Sequence, residues 1–474
     1  MLSVQKSVPT EMLSALERGG YSLHIKGRAG TGKTTLALEI VKNMSQRGKA
    51  IYLSTRVSPE RILVQFPWVR GFLEVRSILD AKRSYITPDV PKNVLFEYSD
   101  QPEFLRAINA EIHRSEQRPV TVIIDSLDAL KSSLNIPERD TTLESILLEI
   151  GERTSSNMLF ITETDEPCRL DYLTDGVVRL EKEIIDGRLL RKLYLEKIRG
   201  GRIEQSYYLF TLKNGRFNYF EPMIYPRIKC TAGILTPKKK GAFIPTSIEE
   251  LDLVLHGGLR KGTCNLFEQA RGSGTEFIYL MVPIISSFVQ NGFPAFITSL
   301  QTIATESSID YIFSLVEIEN SAISTLRRYL YFFRFKNLSE KIVGNEIGVS
   351  KENIEDFAEV FRKSVSETTE RLGAETYLWL LEIDTMERIF GEESFRRAVG
   401  TLVLETRASN GICIALGKHG IKSMDTVIHL ATTHFIMDNV GAPIIYGVLP
   451  KTKVYAIVTE KLNETDKIDL VGIE

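Results

Sequence analysis

Apolar residues recur along this chain with two different periods. Residues 22–26 read as a strand, a glycine-rich turn follows, and then Leu36, Ile40 and Met44 fall on one face of a helix. Upstream, 8–18 is predicted as a short helix running into the Gly19-Gly20 break. Downstream, 50–54 is a β-rich run, and Ser58-Pro59-Glu60 starts a helix with a capping hydroxyl and a proline at the first helical position. Further strands are predicted at 94–98, 120–124 and 158–162, with helical patterns at 102–116 and 140–153. Near-continuous apolar strands alternating with helices predict a parallel sheet covered on both faces. From Gly176 the texture becomes strands without helices, at 177–180, 189–196, 207–212 and 217–220, an antiparallel extension that closes the first domain.

The second half repeats this pattern after a linker at 222–241, which holds Pro222, Pro226, Pro237, the run Lys238-Lys239-Lys240 and Gly241. Strands are expected at 377–384, 411–417 and within 435–461. A segment at about 303–372 reads as a helical insert, so the domains are 1–221 and 242–474. Within the insert, 327–336 interleaves arginines with aromatic residues, and Ile347-Gly348-Val349-Ser350 resembles a helix-turn-helix corner. Such a stretch suits contact with nucleic acid or an acidic partner, and packing within a helical insert is the simpler reading.

Composition narrows the classes. A chain of 474 residues is about three domain-lengths, and 43% apolar residues suffice for large cores. The net charge of −2, from 59 basic and 61 acidic residues, argues against sequence-independent nucleic-acid binding while leaving a local basic patch open. Cys168, Cys230, Cys264 and Cys413 lie far apart, with neither zinc-ligand spacing nor a disulfide framework, and imply a reducing cytoplasm. The N-terminus lacks a signal-peptide apolar core, and the longest apolar stretch, 277–289, contains Pro283 and is too short to span a bilayer.

Against that background one motif stands out. Gly27, Arg28, Ala29, Gly30, Thr31, Gly32, Lys33 and Thr34, continued by Thr35, fit the phosphate-binding pattern G-x-x-x-x-G-K-[ST]. Its glycines let backbone N–H groups curl around phosphates, Lys33 supplies a point charge, and Thr34 offers a hydroxyl to Mg²⁺. ATP with Mg²⁺ is the expected ligand. A strand before the loop and a helix after it distinguish this from a merely structural turn. Asp125, at the tip of the 120–124 strand, is placed to hold Mg²⁺ together with Thr34; the competing role is to cap the following helix.

The order of the P-loop, Tyr52-Leu53-Ser54-Thr55-Arg56-Val57-Ser58-Pro59-Glu60, Ile123-Ile124-Asp125 and Lys197-Ile198-Arg199-Gly200 resembles a RecA-type ATPase core of the KaiC-like branch. The resemblance implies tandem RecA-like α/β domains and a homo-oligomer in which Lys197 and Arg199 reach the γ-phosphate held by a neighbouring subunit. A basic turn on a solvated face is the alternative. Because the trailing strands face away from their own P-loop in this architecture, both charges are expected to lack partners in their own domain. Where the family carries a Glu-Glu pair, this chain has Arg56-Val57, which removes a proton acceptor and adds a cation suited to gripping the γ-phosphate.

Residues 244–262 are similar to the family segment that leads into a second P-loop, but the loop that follows has Gln269, Thr275 and Glu276 in place of its first glycine, its lysine and its hydroxyl residue. A lost cation and an added carboxylate make that copy a pseudo-ATPase domain. An active copy followed by a degraded one resembles the archaeal GvpD-like regulators, implying a regulatory protein partner and slow or switch-like ATP hydrolysis. An ATPase of recombination or repair acting on single-stranded DNA, and a KaiC-like autokinase, are the alternatives.

Overall fold

The computed structural model describes residues 6–46, 48–81, 103–137, 139–222, 228–230, 241–271, 277–298, 316–318, 328–336, 346–350, 353–462 and 465–474. The chain divides into two units, one running to Glu221 and including Ile473–Glu474, the other from Pro222 to Gly472. The strand expected at 94–98 and most of the 222–241 segment lie outside the described residues. Among the described residues no helix is long and apolar enough to cross a membrane.

The first unit is built on β1 (Ser22–Lys26), β2 (Lys49–Ser54), β3 (Ile78–Asp80), β4 (Val120–Asp125), β5 (Asn157–Ile161), β6 (Gly176–Ile185), β7 (Arg188–Ile198), β8 (Tyr207–Thr211) and β9 (Asn218–Phe220). Their order in the sheet is β3-β2-β4-β5-β1-β6-β7-β8-β9. Pairing is parallel from β3 through β6 and antiparallel from β6 outward. Alternate residues of the central strands enter opposite layers, which is why those strands read as unbroken apolar runs. Ile123 and Leu159 pack with Leu36 and Ile40 of the helix Lys33–Met44. Val122, Ile124 and Phe160 pack on the other face with Ile108 and Leu147, from the helices Glu103–Arg114 and Thr142–Thr154.

A buried ion pair joins the antiparallel extension to the P-loop helix. Glu39 is fully buried, and Arg216, between β8 and β9, reaches both its oxygens, with Nη2 3.0 Å from Oε2. The Arg216 guanidinium also lies 4.4 Å over the Trp68 ring, which shields the pair from solvent.

The second unit repeats the plan. Its strands are β10 (Ile228–Cys230), β11 (Phe243–Ile244), β12 (Leu259–Arg260), β13 (Thr263–Gln269), β14 (Ala295–Thr298), β15 (Val316–Ile318), β16 (Leu330–Lys336), β17 (Glu346–Ser350), β18 (Leu378–Glu382), β19 (Ile412–Lys418), β20 (Thr433–Asn439), β21 (Pro443–Leu449), β22 (Val454–Leu462) and β23 (Thr465–Gly472). The order β16-β14-β18-β19-β13-β20-β21-β22 reproduces β3-β2-β4-β5-β1-β6-β7-β8, again parallel first and antiparallel beyond β20. The protein is therefore α/β, with two tandem RecA-like folds and antiparallel extensions.

The helical insert needs correction. Residues 330–336 and 346–350 are parallel strands that extend the sheet past β14, and the helix Ile354–Leu372 follows them. Leu330 and Phe332 enter one core layer, while Tyr331 and Phe333 enter the other beside Phe357 and Phe361. The aromatics thus serve a strand buried on both faces, and Ile347-Gly348-Val349-Ser350 belongs to a strand and not to a helix-turn-helix corner.

Candidate functional site

The P-loop joins β1 to its helix. Gly27, Gly30 and Gly32 have φ of 145°, 75° and 103°. A Cβ on Gly27 would sit 2.3 Å from the Leu180 carbonyl oxygen, so only glycine fits that turn. The Gly27 N–H donates to Thr164 O at 2.8 Å. Thr31 Oγ1 donates to Arg28 O at 2.9 Å, closing the loop on itself. From β6 and β7, Lys182 Nζ donates to Ala29 O at 3.3 Å and Arg191 Nη1 to Gly30 O at 3.2 Å.

Lys33 is buried at the start of the helix, and its Nζ donates to Gly27 O at 2.6 Å and to Arg28 O at 2.9 Å. Burial pushes its pKa below the ordinary lysine value, and the carboxylates of Glu163, Asp125 and Asp128 partly offset that push. Thr34 Oγ1 donates to Asp125 Oδ2 at 2.6 Å. Thr35 is buried one residue further along the helix.

Asp125 therefore faces the P-loop. Capping of the next helix falls to Ser126, whose Oγ accepts from Ala129 N at 3.4 Å. Tyr52, from β2, donates its hydroxyl to the same Asp125 Oδ2 at 2.6 Å. Burial, followed by the adjacent carboxylate, raises the Tyr52 pKa well above the ordinary tyrosine value, so the phenol stays a donor. Arg56, half exposed, pairs with Glu163 at 2.6 Å, and Arg28 pairs with Asp165 at 2.7 Å. Sequence reasoning missed Tyr52, Glu163, Lys182 and Arg191. Tyr52 was legible only as a strand residue, and the other three come from distant strands and, for Glu163, from the loop after β5, whose approach to the P-loop leaves no local pattern.

Lys197 and Arg199 are not brought to this P-loop, and the expectation that they lack partners in their own domain is overturned. Lys197 Nζ donates to Asp171 O at 3.0 Å and to Thr174 O, closing the carbonyl end of the helix Arg169–Leu173. Arg199 pairs with Asp175 at 2.9 Å with its side chain 64% exposed. In the same region His24, Cys168 and Asp171 converge, but their polar atoms are engaged internally. Asp171 accepts from His24 Nδ1 at 2.7 Å, Lys26 Nζ at 3.0 Å and Cys168 N at 3.0 Å, and His24 Nε2 meets Thr162 Oγ1 at 2.7 Å.

The corresponding region of the second unit has the opposite charge. Lys26, the residue before the P-loop, lies between Asp171 at 3.0 Å and Glu196 at 2.9 Å. Its counterpart before Gln269 is Glu268, held by His419 at 2.8 Å and His434 at 2.9 Å. Glu382, at the tip of β18 where β4 has Asp125, accepts from its own helix residue Thr385. Thr275 and Glu276 lie outside the described residues.

A P-loop at the tip of β1, facing a carboxylate at the tip of β4, which is separated from β1 by β5 and pairs with β2 on its other side, defines a RecA-like P-loop protein of the KaiC-like class. Residues 15–196 match the model of the GvpD gas vesicle protein, P-loop domain. By that likeness the chain is a GvpD-like, KaiC-like P-loop protein. Protein GvpD1 of Halobacterium salinarum is 30% identical over 253 residues, 52% of this chain and 47% of that protein. Protein GvpD2 of the same organism is 27% identical over 281 residues, 57% of each chain. The circadian clock oscillator protein KaiC of a Picosynechococcus species is 23% identical over 290 residues, 58% of this chain and 52% of that one. The matches span about half the length of these relatives.

Proposed function

We propose that the first unit binds ATP with Mg²⁺ and turns it over slowly, as a switch in a regulatory protein. The observation that carries this reading is the 2.6 Å contact between Thr34 Oγ1 and Asp125 Oδ2, which joins the P-loop hydroxyl to the strand-tip carboxylate. Both are hard oxygen donors of the kind Mg²⁺ selects, and they are the residues that would hold the ion. Bound there, Mg²⁺ supplies positive charge to the phosphate oxygens. Gly27 to Thr34 present backbone N–H groups, and Lys33 exchanges its two carbonyl contacts for phosphate oxygens. Thr35 continues the anion-facing first turn, and Arg56, paired with Glu163, would grip the γ-phosphate.

The second unit is a pseudo-ATPase domain in this reading, supported by Glu268 in the place of Lys26. It serves as a scaffold for a regulatory partner, a fold kept for its surface where the nucleotide chemistry is gone. The likeness to KaiC supports self-association, with the exposed Arg199 as the outward-facing charge. Cys168, Cys264 and Cys413 are free thiols, in keeping with a reducing cytoplasmic setting.

Equilibrium dialysis tests the proposal. One equivalent of ATP per chain, lost in Lys33→Ala, is expected. Two equivalents, or unchanged affinity in the variant, would overturn it.

A further inference from the structure

The loop after β5 supplies the site with a carboxylate that the P-loop pattern does not include. Glu163 stands two residues beyond Ile161, whose neighbours in the sheet are Ile25 of β1 on one side and Asp125 of β4 on the other. Its backbone is pinned on both sides. The Glu163 N–H donates to Asp128 Oδ2 at 2.6 Å, and Thr164 O accepts from the Gly27 N–H at 2.8 Å. Its carboxylate acts on the Lys33 ammonium, opposing the push of burial on that group. Arg56 takes Oε1 at 2.6 Å, and Oε2 has no hydrogen-bond partner among the described residues.

Glu60, the other acidic residue near the position of the absent Glu-Glu pair, lies in the first turn of the exposed side of the helix Pro59–Gln65. Asp125 is engaged by Thr34 and Tyr52, and Asp128 by the Glu163 N–H, which leaves Glu163 as the carboxylate beside the site with an oxygen unengaged among the described residues.

We propose that Glu163 is the catalytic proton acceptor for ATP hydrolysis, replacing the carboxylate pair lost at Arg56-Val57. This rests on the reading of the first unit as an ATP site. The water oxygen forms a bond to Pγ while the bond from Pγ to the bridging oxygen breaks, and ADP leaves with that electron pair. The water proton passes to the Glu163 carboxylate, and inorganic phosphate is the second product. Arg56 holds the carboxylate until the γ-phosphate competes for the guanidinium, so acceptor and phosphate are brought together by one side chain. Sharing that cation makes the step slow.

Single-turnover hydrolysis of radiolabelled ATP with protein in excess tests the assignment, with ATP affinity measured by dialysis on the same samples. Glu163→Gln should lose turnover by on the order of 10²-fold. Its ATP affinity should stay within about twofold of wild type, the scatter of substitutions that touch no ligand. Glu163→Asp should recover part of the rate. Asp165→Asn, which breaks the equivalent pair to Arg28 in the same loop, should keep the wild-type rate. Equal losses in Glu163→Gln and Asp165→Asn, an unchanged rate in Glu163→Gln, or a wild type that binds ATP without cleaving it would each overturn the proposal. A wild type that binds no ATP would instead overturn the reading on which it rests.

Discussion

Tyr52 donates to Asp125 Oδ2 at 2.6 Å, the same oxygen that accepts the Thr34 hydroxyl. The phenol comes from β2 and the carboxylate from β4, adjacent parallel strands in which Tyr52 pairs with Ile123. One buried donor therefore fixes the carboxylate's rotamer from the side opposite the P-loop. Tyr52→Phe should cost about 1.5–3 kcal/mol in urea unfolding, the range for a hydrogen bond to a charged group. It should also weaken Mg²⁺-dependent ATP binding, measured by calorimetry. Unchanged values for both would remove Tyr52 from the site.

Lys33→Ala should lower ATP affinity by about 10²-fold or more, the loss expected for charge-assisted contacts to phosphate. Its stability should hold or rise. Burial depresses the lysine's pKa in the fold, so the unfolded chain binds the proton more tightly and the charged side chain opposes folding at neutral pH. Thermal unfolding at pH 7 checks this, and a large destabilisation would show that the two carbonyl contacts outweigh burial.

Asp171 offers a pH test. Burial alone would raise its pKa, but hydrogen bonds from His24, the Cys168 N–H and Lys26 prevail and hold it well below the usual carboxylate range. A depressed folded pKa stabilises the protein above the unfolded value of about 4 and ceases to do so as pH falls through the folded one. Asp171→Asn should therefore be less stable by about 1–3 kcal/mol at pH 7, with the gap narrowing as pH falls below 4. A gap constant from pH 7 to pH 3 would refute the assignment.

Steady-state turnover should fall far below the roughly 1–10³ s⁻¹ of ordinary enzymes. The reason is Arg56-Val57 in place of a carboxylate pair. A colorimetric phosphate assay decides it, and an ordinary rate that disappears in Glu60→Gln would put the proton acceptor on that helix.

Sedimentation velocity separates Lys197, near the end of β7, from Arg199, just beyond it. Arg199→Ala should weaken ATP-promoted self-association, because its side chain is exposed and held only by Asp175. Lys197→Ala should instead lower stability by about 1 kcal/mol, since Lys197 is bound to the carbonyls of Asp171 and Thr174. A wild type that stays monomeric at saturating ATP–Mg²⁺ would remove the basis for Arg199.

The parallel strands and the P-loop were legible because their signals are local. An unbroken apolar run marks a strand buried on both faces, and the glycine spacing marks the turn. Residues 330–336 read as part of a helical insert because a run of aromatics has no clean period when both faces of a strand are buried, so Tyr331 and Phe332 look alike in sequence yet enter different layers. Ser58 was expected to cap its helix with its hydroxyl; it occupies the cap position but makes no such bond. The contacts of Tyr52, Glu163 and Arg191 depend on which strands become neighbours, and the order β2-β4-β5-β1 is not written in any one segment.

The bond between Glu39 and Arg216 ties two positions 177 residues apart into one unit of inheritance. Losing Arg216 alone strands the fully buried Glu39 carboxylate in the core at about 3–5 kcal/mol, a large part of the roughly 5–15 kcal/mol that keeps a domain folded. Replacing both with apolar residues of similar volume is close to neutral. A descendant that lost the arginine would therefore be expected to have lost the glutamate as well.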